Sequence, residues 1–153
     1  MTIIKALAGE PIPIYGKGLN VRDWLFVNDH AEALTTVLER GQVGQTYNIG
    51  GGAERRNIDV VTAICEAMDQ FIGRPSGRHQ ELIGFVSDRP GHDYRYAIDF
   101  TKLSTELGWK PRHTFEAGLL STVKWYIDNR AWWEPLMSAH RAGSRRGLAA
   151  QGV

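Results

Sequence analysis

The stretch R-D-W-L-F-V-N-D-H-A-E-A-L-T-T-V-L-E-R, from Arg22 to Arg40, indicates how this chain folds. Its first part, Asp23–Val27, carries bulky apolar side chains and predicts a short strand. Apolar residues then recur three and four positions apart, which predicts a helix over Asp29–Arg40, capped by Asn28 or by Asp29 itself. The predicted inward face of that helix consists of Ala31, Leu34, Val37 and Leu38. A strand that leads directly into a helix is the repeating unit of α/β proteins.

Strands and helices continue to alternate on both sides of this stretch. Further strands or extended segments are predicted at Ile14–Tyr15, Thr46–Ile49, Leu82–Val86 and Tyr96–Ile98. Further helices are predicted at Met1–Ala8, Asn57–Phe71, Asp99–Leu107 and Phe115–Asn129. The pattern predicts an α/β fold, in the form of an α+β lobe that has one small mixed sheet and flanking helices.

The chain divides into a patterned part and a tail. Residues 1–135 hold all the predicted elements and have the length of one domain. Residues 136–153 show no useful periodicity, and from position 138 onward they are rich in Ala, Gly and Arg. We expect this tail to be disordered or frayed.

Composition limits the functions that this chain can have. Of its 153 residues 42% are hydrophobic and 23% are charged, which is typical of a globular domain. A net charge of +1 gives no overall field that would recruit nucleic acid or an anionic membrane, so neither partner is expected. No apolar run approaches the ~20 residues of a membrane span, and the N-terminus has no recognisable secretory signal. We expect a cytoplasmic location.

Cysteine and histidine usage argues against a metal site. The single cysteine, Cys65, lies in a helical pattern, where a buried apolar role is typical. The histidines lack the spacing of metal ligands. No Ser/His/Asp triad and no Tyr-x-x-x-Lys pair can be assembled from this sequence. It therefore predicts no catalytic residue and no metal.

The segment S-D-R-P-G-H-D-Y-R-Y, residues 87–96, follows a predicted strand and concentrates charge around a Pro-Gly turn. Ligands of α/β proteins bind at the carboxyl ends of strands. Arg89 can bind a phosphate through two charge-assisted hydrogen bonds, and His92 can add a donor. The aspartates on either side would orient these cations, or would simply pair with them in an ordinary polar turn. The residues alone leave both interpretations open.

Arg22 and Trp24 are two positions apart and would share one face of a strand. A rigid guanidinium beside a large aromatic ring suits a phosphate. The pattern alone favours the structural alternative, in which Arg22 pairs with an aspartate and Trp24 is buried. Asn57, at the start of a predicted helix, is likewise predicted as a helix cap rather than a ligand contact.

Two glycine clusters do not fit cofactor-binding loops. Gly16-x-Gly18 precedes a strand instead of following one, and Val21 occupies the third glycine position of a dinucleotide fingerprint. The Gly50–Gly52 run follows a predicted strand, but no Gly-Lys-Ser/Thr comes after it. No cofactor-binding residue is therefore predicted in this chain.

Six segments of the chain form a recognisable series. They are G-K-G-x-x-x-R-D-W-L-F-V-x-D-H-A-x-A-L, T-Y-N-I-G-G, N-I-D-V-V, D-R-P-G-H-D-x-R-Y-A-I-D, E-L-G-W-K-P and F-E-x-G-L-x-x-T-V-x-W-Y. In this order they resemble the dTDP-glucose 4,6-dehydratases, which belong to the extended short-chain dehydrogenase/reductases. The resemblance extends from about Ile3 to Trp133, and D-R-P-G-H-D-x-R-Y is its most specific part.

The resemblance implies one lobe of a two-part enzyme. In this family an N-terminal Rossmann domain holds NAD, and a smaller C-terminal lobe binds the nucleotide sugar. The intact enzyme is a homodimeric lyase of deoxysugar and polysaccharide biosynthesis that converts dTDP-glucose to dTDP-4-dehydro-6-deoxy-glucose and water. This sequence resembles the C-terminal lobe only, with the Rossmann domain absent. We therefore expect the chain alone to bind no NAD and to have no dehydratase activity.

The resemblance also assigns substrate-binding residues. Arg22 corresponds to the arginine on the diphosphate, and Asn57 corresponds to an asparagine that contacts the nucleotide. Arg89 and His92 would close on the phosphates. The full set carried over is Pro13, Ile14, Tyr15, Arg22, Asn57, Asp88, Arg89, Pro90, Gly91 and His92.

Two alternatives stay open beside this interpretation. One is a non-catalytic binding or assembly module that completes a separately encoded Rossmann half. The other is the lobe of a related UDP-sugar epimerase or decarboxylase, because those enzymes share R-D-x-x-x-V-x-D and Y-N-I-G. They usually differ in D-R-P-G-H-D-x-R-Y, which favours the dTDP-glucose enzymes.

Overall fold

The structure, a computed structural model, describes residues 1–140. Its helices are α1 (Thr2–Ala8), α2 (Val27–Arg40), α3 (Asn57–Ile72), α4 (Thr101–Leu107), α5 (Phe115–Asp128) and α6 (Arg130–His140). Its strands are β1 (Ile12–Tyr15), β2 (Val21–Asp23), β3 (Glu54–Arg56) and β4 (Ile83–Val86), with a 3₁₀ turn at Gln80–Leu82. The predicted α/β class, with small sheets and flanking helices, is confirmed.

The strands form two separate two-stranded sheets rather than the single sheet that was predicted. β1 and β4 are parallel, and their last residues, Tyr15 and Val86, lie opposite each other. β2 and β3 are antiparallel, with Arg22 opposite Arg55. The turn between β1 and β2 contains two glycines with positive φ, Gly16 at 55° and Gly18 at 69°. This left-handed turn redirects the chain, so that β2 does not extend the first sheet.

The larger core lies between β1 and helices α1, α3 and α5. Val60, Ile64 and Met68 of α3 are buried there, as the helical spacing predicted. Cys65, with no exposed surface, belongs to the same cluster, and burial raises the pKa of its thiol to about 11. Burying each large apolar side chain contributes roughly 1.5–3 kcal/mol, so this cluster holds the three helices on the strand.

A second, smaller core joins α2 to α4. Its buried members are Ala33, Leu103, Leu107 and Trp109. Gly108 ends α4 in the left-handed conformation, with φ at 72°, which glycine adopts without a steric penalty. This cluster places α2 beside the segment that follows Tyr96.

Helix α2 is rotated relative to the prediction. Leu34 and Leu38, predicted to face inward, are 54% and 86% exposed. The buried side of α2 carries Asp29, Ala33 and Thr36 instead. Asp29 is the physical cause, because its carboxylate accepts hydrogen bonds from the backbone N–H groups of residues 112 and 113, each at 3.0 Å. This bond fixes the polar side of α2 against the chain before α5 and turns the leucines outward.

The predicted helix caps of α2 and α3 are wrong. Phe26 and Arg56 are the N-cap residues, and neither supplies a side-chain hydrogen bond. Asn57 is the first residue of α3, and its backbone N–H donates to the Asn20 carbonyl at 2.9 Å. The tertiary contact of Asp29 outweighs its local capping preference.

The strand predicted over Asp23–Val27 is displaced to Val21–Asp23. The strand predicted over Thr46–Ile49 is not formed, and no strand within residues 1–140 pairs with this segment. Tyr47 and Ile49 nevertheless alternate inward and pack against the second core. The alternation was therefore detected correctly, but a strand also needs a hydrogen-bonding neighbour.

The predicted tail begins within α6. Residues 136–140 form the last part of this helix, which contains Pro135. The remainder of the predicted tail, 141–153, lies outside the described residues.

Candidate functional site

The carboxyl ends of β1 and β4 and the start of β2 meet at one edge of the molecule. The Arg89 loop, residues 87–96, leaves the end of β4 and returns to β2. Val21 N–H donates to the Tyr94 carbonyl at 2.7 Å, and Tyr96 N–H donates to the Val21 carbonyl at 3.0 Å. The loop thus becomes a short parallel neighbour of β2, bridged between Val21 and Arg95. This pairing brings its charged residues over Arg22.

Arg22 is held by several acceptors from this loop and from its own strand. Its Nη1 donates to the Val21 carbonyl at 2.6 Å, and its Nη2 donates to the Asp93 carbonyl at 2.9 Å. The same Nη2 lies 3.1 Å from Nε2 of His92. The guanidinium also stacks on the Tyr96 ring, 4.5 Å from its centroid. Among the described residues, the Nε–H of Arg22 has no hydrogen-bond partner and is available to an outside acceptor.

His92 connects Arg22 to Asp88. Its Nδ1 lies 2.7 Å from Asp88 Oδ1, and its side chain is only 8% exposed. The edge of the Tyr15 ring approaches the imidazole with a centroid distance of 6.4 Å. Both ring nitrogens of His92 are therefore engaged within the protein.

Asp88 organises the start of the loop. Its Oδ1 also accepts the N–H of Arg89 at 2.9 Å. The hydrogen bond from His92 holds the pKa of Asp88 below its usual value, with the Arg89 N–H acting in the same direction. A Cβ at Gly16 would lie 3.1 Å from Asp88 Oδ2, so a side chain there would push against the carboxylate.

Arg89 differs from Arg22 in how its charge is placed, because it acts on the Asp88 carboxylate through space and not through a hydrogen bond. Its guanidinium makes no hydrogen bond and no ion pair with residues 1–140, and the residue is exposed. Pro90 and Gly91 follow it in a tight turn, in which Gly91 has a φ of 70°. Arg89 is thus an exposed cation on a loop that Asp88 and the Pro-Gly turn hold in place, and its side chain can bind an anion.

The structure brings together five of the predicted site residues, and we name these the Arg22 cluster: Tyr15, Arg22, Asp88, Arg89 and His92. Asn57 is linked to it through Asn20, whose side chain donates to the Asp93 carbonyl at 3.2 Å. Pro13 is exposed on β1, whereas Ile14 is 3% exposed and belongs to the interior.

Sequence reasoning missed two contributors to this region. Tyr96 lies beneath the Arg22 guanidinium and donates its hydroxyl to the Asp93 carboxylate, which raises the pKa of Tyr96. Asp23 accepts the N–H groups of Gly51 and Ala53, both at 2.8 Å. The Arg-Asp adjacency and the tyrosine after Arg95 were the available signals, but Arg22 lies far from Tyr96 in the sequence, and Asp23 lies far from Gly51.

Two open depressions of the described region lie beside the Arg22 cluster. An open depression of about 520 Å³ is lined by His30, Tyr47, Asn48, Ile49, Ala97, Ile98 and Asp99. A neighbouring one of about 380 Å³ includes Asp23, Trp24 and Val27. Because hydrogen-bonding geometry and charge identify an anion site better than volume does, we place the candidate site at the Arg22 cluster.

The triple-glycine turn, Gly50–Gly52, does not fit the pyrophosphate of NAD. The dinucleotide pyrophosphate needs free backbone N–H groups in a glycine-rich turn between a strand and a helix. In the triple-glycine turn the Gly51 N–H is already bonded to Asp23, and the turn leads into β3 rather than a helix. Residues 1–140 also contain no group of three or more potential metal ligands, and none of their helices is long and apolar enough to cross a membrane.

Comparison with known proteins bears on this geometry. The dTDP-glucose 4,6-dehydratase of Xanthomonas campestris is 59% identical over 133 residues, which are 86% of this chain and 38% of that protein. The crystal structure of the Bacillus anthracis dTDP-glucose 4,6-dehydratase in complex with NAD is 46% identical, with a TM-score of 0.74. It matches 88% of this chain, which covers 40% of that structure.

A second solved structure is that of the Streptomyces venezuelae dTDP-glucose 4,6-dehydratase DesIV with NAD and TYD bound. It is 38% identical with a TM-score of 0.76, and the match covers 88% of this chain and 39% of DesIV. The resemblance inferred from the motifs is confirmed. The chain spans about two fifths of the length of these relatives.

The fold and the arginine-lined strand ends define an α/β lobe of the extended short-chain dehydrogenase/reductase class. The sequence profile of GDP-mannose 4,6 dehydratase matches residues 1–122, and the chain belongs to this family.

Proposed function

We propose that this chain is the nucleotide-sugar-binding lobe of a dTDP-glucose 4,6-dehydratase. The observation that carries the proposal is the position of two arginines at one edge of the lobe: the Arg89 loop pairs with β2 beside Arg22, and the Arg89 guanidinium makes no hydrogen bond or ion pair with the described residues. Arginine binds phosphate through parallel charge-assisted hydrogen bonds, so the pair suits the diphosphate of a nucleotide sugar. The names of the relatives support dTDP-glucose as the ligand.

The proposed site has three parts. Arg22 and the loop Asp88–His92, including Pro90 and Gly91, bind the diphosphate. Tyr15, 37% exposed at the end of β1, lies beside it with Pro13 and Ile14 preceding it in the strand. Asn57 contacts the nucleotide from the start of α3. Asp88 carries a negative charge and therefore contributes by ordering the loop and not by binding phosphate.

Titration calorimetry with the complete chain tests the ligand. We expect dTDP-glucose to bind and Arg89→Ala to weaken binding about tenfold, because one charge-assisted contact contributes roughly 1.5–3 kcal/mol. Arg40→Ala, an exposed arginine at the end of α2, is the matched control and should bind normally. Preference for UDP-glucose would reassign the chain to the UDP-sugar enzymes.

We expect no conversion of dTDP-glucose by this chain, with or without added NAD. It contains no Tyr-x-x-x-Lys pair, and its glycine turns do not fit the dinucleotide. Chromatography of the reaction mixture measures the product. Formation of the 4-dehydro sugar by the purified chain would contradict the prediction that this chain alone has no dehydratase activity.

A second candidate function is assembly with a separate NAD-binding half, and the exposed side of α2 favours it. Val27, Leu34 and Leu38 are 67%, 54% and 86% exposed, and with Ala31 they form one stripe at helical spacing, the α2 stripe. The unpaired Tyr47–Ile49 segment lines the depression of about 520 Å³. An apolar stripe beside unpaired backbone suits a packed protein partner.

Mixing with the NAD-binding half of the Xanthomonas relative tests this candidate. We expect a complex on size-exclusion chromatography that Leu34→Glu disrupts. Glu39→Lys, an exposed charge change outside the stripe, should leave the complex intact. Equal binding by both variants would exclude the α2 stripe as the interface.

A further inference from the structure

We propose that His92 is a positioning residue: Asp88 fixes the tautomer with the proton on Nδ1, and the Nε2 lone pair aims the Arg22 guanidinium at the diphosphate. The inference rests on the proposed function and specifies how its site is ordered. It also predicts that acid weakens nucleotide-sugar binding.

The hydrogen-bond inventory of the two side chains gives a single assignment. A guanidinium has donors only, so His92 Nε2 must accept from Arg22 Nη2 across their 3.1 Å separation. An accepting Nε2 carries no proton, so the proton of the neutral ring is on Nδ1. That N–H then donates to Asp88 Oδ1 at 2.7 Å. The two contacts require the same tautomer of His92, and a series of hydrogen bonds runs from Asp88 through His92 to Arg22.

The same series of hydrogen bonds leaves His92 without a free donor for a phosphate. Its two nitrogens are committed, and its side chain is 8% exposed. The diphosphate must therefore meet Arg22 and Arg89, whereas His92 acts from behind Arg22. The Asp93 and Val21 carbonyls hold the same guanidinium from other directions, so His92 completes a set of acceptors around it.

Protonation of His92 would remove this support. The imidazolium has no lone pair on Nε2 and places a positive charge beside the positive Arg22. The groups that face the ring are Arg22 from β2, Asp88 from the loop and Tyr15 from β1. The Asp88 and Asp93 carboxylates keep their negative charges, but neither of them restores an acceptor at Nε2 for the Arg22 guanidinium. Arg22 must then shift from its aimed position.

Calorimetry across pH distinguishes positioning from direct binding by the sign of the effect. The probe is dTDP-glucose, whose diphosphate is esterified at both ends and does not titrate near neutral pH. We expect its dissociation constant to rise about tenfold once His92 is protonated, the value of one lost charge-assisted bond, and calorimetry from pH 8 downward measures this rise. A direct His92–phosphate contact would gain from protonation, so tighter binding in acid would overturn the proposal.

Two substitutions separate the roles of the ring nitrogens. His92→Gln keeps an acceptor at the ε position, and we expect it to bind within about threefold of the native chain and without the pH dependence. His92→Asn keeps only the δ position and should lose about tenfold at pH 8. A loss of affinity in His92→Gln as large as that in His92→Asn would contradict the assignment of the ring nitrogens. His30→Gln, an exposed histidine on α2, is the control and should keep the native pH profile.

A double-mutant cycle gives an independent measure. If His92 acts only through Arg22, the double variant Arg22→Ala/His92→Ala should bind as weakly as Arg22→Ala alone. Additive losses would show that His92 touches the ligand itself and would overturn the proposal.

NMR of the imidazole nitrogens tests the hydrogen bonds from His92 to Asp88 and Arg22 without any ligand. At pH 8 we expect His92 to be protonated on Nδ1 and unprotonated on Nε2, and we expect Arg22→Ala to alter the Nε2 signal. Protonation on Nε2 would refute the proposed hydrogen bond from Arg22 to His92. A native chain that binds no dTDP-glucose at any pH would instead refute the proposed function, so the two failures are distinguishable.

Discussion

At the residue scale, the adjacent pair Arg22 and Asp23 ties two loops to one short strand. Arg22 bonds the Asp93 carbonyl of the Arg89 loop, and Asp23 bonds the N–H groups of Gly51 and Ala53. Their side chains thereby order segments that lie 28 to 71 positions away in the sequence. Charge-assisted hydrogen bonds of this kind are stronger than neutral ones, which explains how a three-residue strand can anchor a site.

Gly51 is the position where this arrangement tolerates no side chain. A Cβ there would overlap the Trp24 carbonyl oxygen, and this backbone atom cannot move independently of β2. We expect Gly51→Ala to lower the free energy of unfolding by about 1–3 kcal/mol, measured by urea denaturation. Gly84→Ala is the control, since a Cβ at Gly84 meets nothing within 4 Å. Equal effects of the two substitutions would refute the steric argument.

Asp69 gives the fold a pH dependence. It is 2% exposed, and its Oδ1 accepts from the His79 backbone at 3.2 Å and lies 2.5 Å from the His79 ring Nδ1. Burial alone would raise the pKa of Asp69, but the hydrogen bonds from the His79 side chain and backbone outweigh it and hold the pKa below its usual value. The stabilising contribution of Asp69 is therefore complete above the unfolded-chain pKa of about 3.9 and is lost as pH falls through the lower folded value.

We expect the free energy of unfolding to decrease as the pH is lowered below about 4, and Asp69→Asn to make this decrease shallower. At pH 7 the substitution should itself cost about 1–3 kcal/mol, because it weakens a buried hydrogen bond. The measurement is urea denaturation at several pH values. Asp128→Asn is the control, because its ion pair with Lys124 is on the surface. An unchanged acid profile in Asp69→Asn would count against this account.

At the element scale, α5 begins where local sequence and structure agree. Thr114 is its N-cap, and the hydroxyl oxygen accepts the Ala117 N–H at 3.2 Å. Glu116 in the first turn adds a charge that suits the helix dipole. Val123 of α5 packs against α3 in the larger core, so a loss of order in the first turn of α5 also weakens that core.

We expect Thr114→Ala to lower the free energy of unfolding by about 1 kcal/mol, as loss of an N-cap does in other helices. Thr35→Ala makes the same chemical change at an exposed interior position of α2 and should be neutral or slightly stabilising. Thermal or urea denaturation of both variants provides the comparison. A destabilisation shared equally by the two would show that the cap contributes nothing.

At the scale of the whole molecule, the local features were predictable and the long-range ones were not. The spacing of apolar residues predicted α3, and the helix predicted over Asp99–Leu107 corresponds to α4, because periodicity acts over a few residues. The outward rotation of α2 depends on the bond between Asp29 and residues 112 and 113. Nothing near α2 in the sequence signals this contact.

The candidate site follows the same rule. The motif resemblance named Arg22 and the Asp88–His92 loop together, but not how they interact. His92 was expected as a phosphate donor, and that role stays untested. The contact between its Nε2 and Arg22 joins residues 70 positions apart, and it alone suggests a supporting role. Sequence motifs therefore selected residues that the fold brings close together, and the geometry suggests which of them support the others.

We expect the α2 stripe to determine how the chain associates in solution. Val27, Leu34 and Leu38 expose more than half of their surface on one side of α2, and apolar surface of this kind drives association. We expect reversible self-association of the isolated chain at high concentration in sedimentation velocity. Leu34→Gln/Leu38→Gln should shift it toward monomer without lowering its stability, since neither side chain belongs to a core cluster. Unchanged association in this variant would place the contact elsewhere.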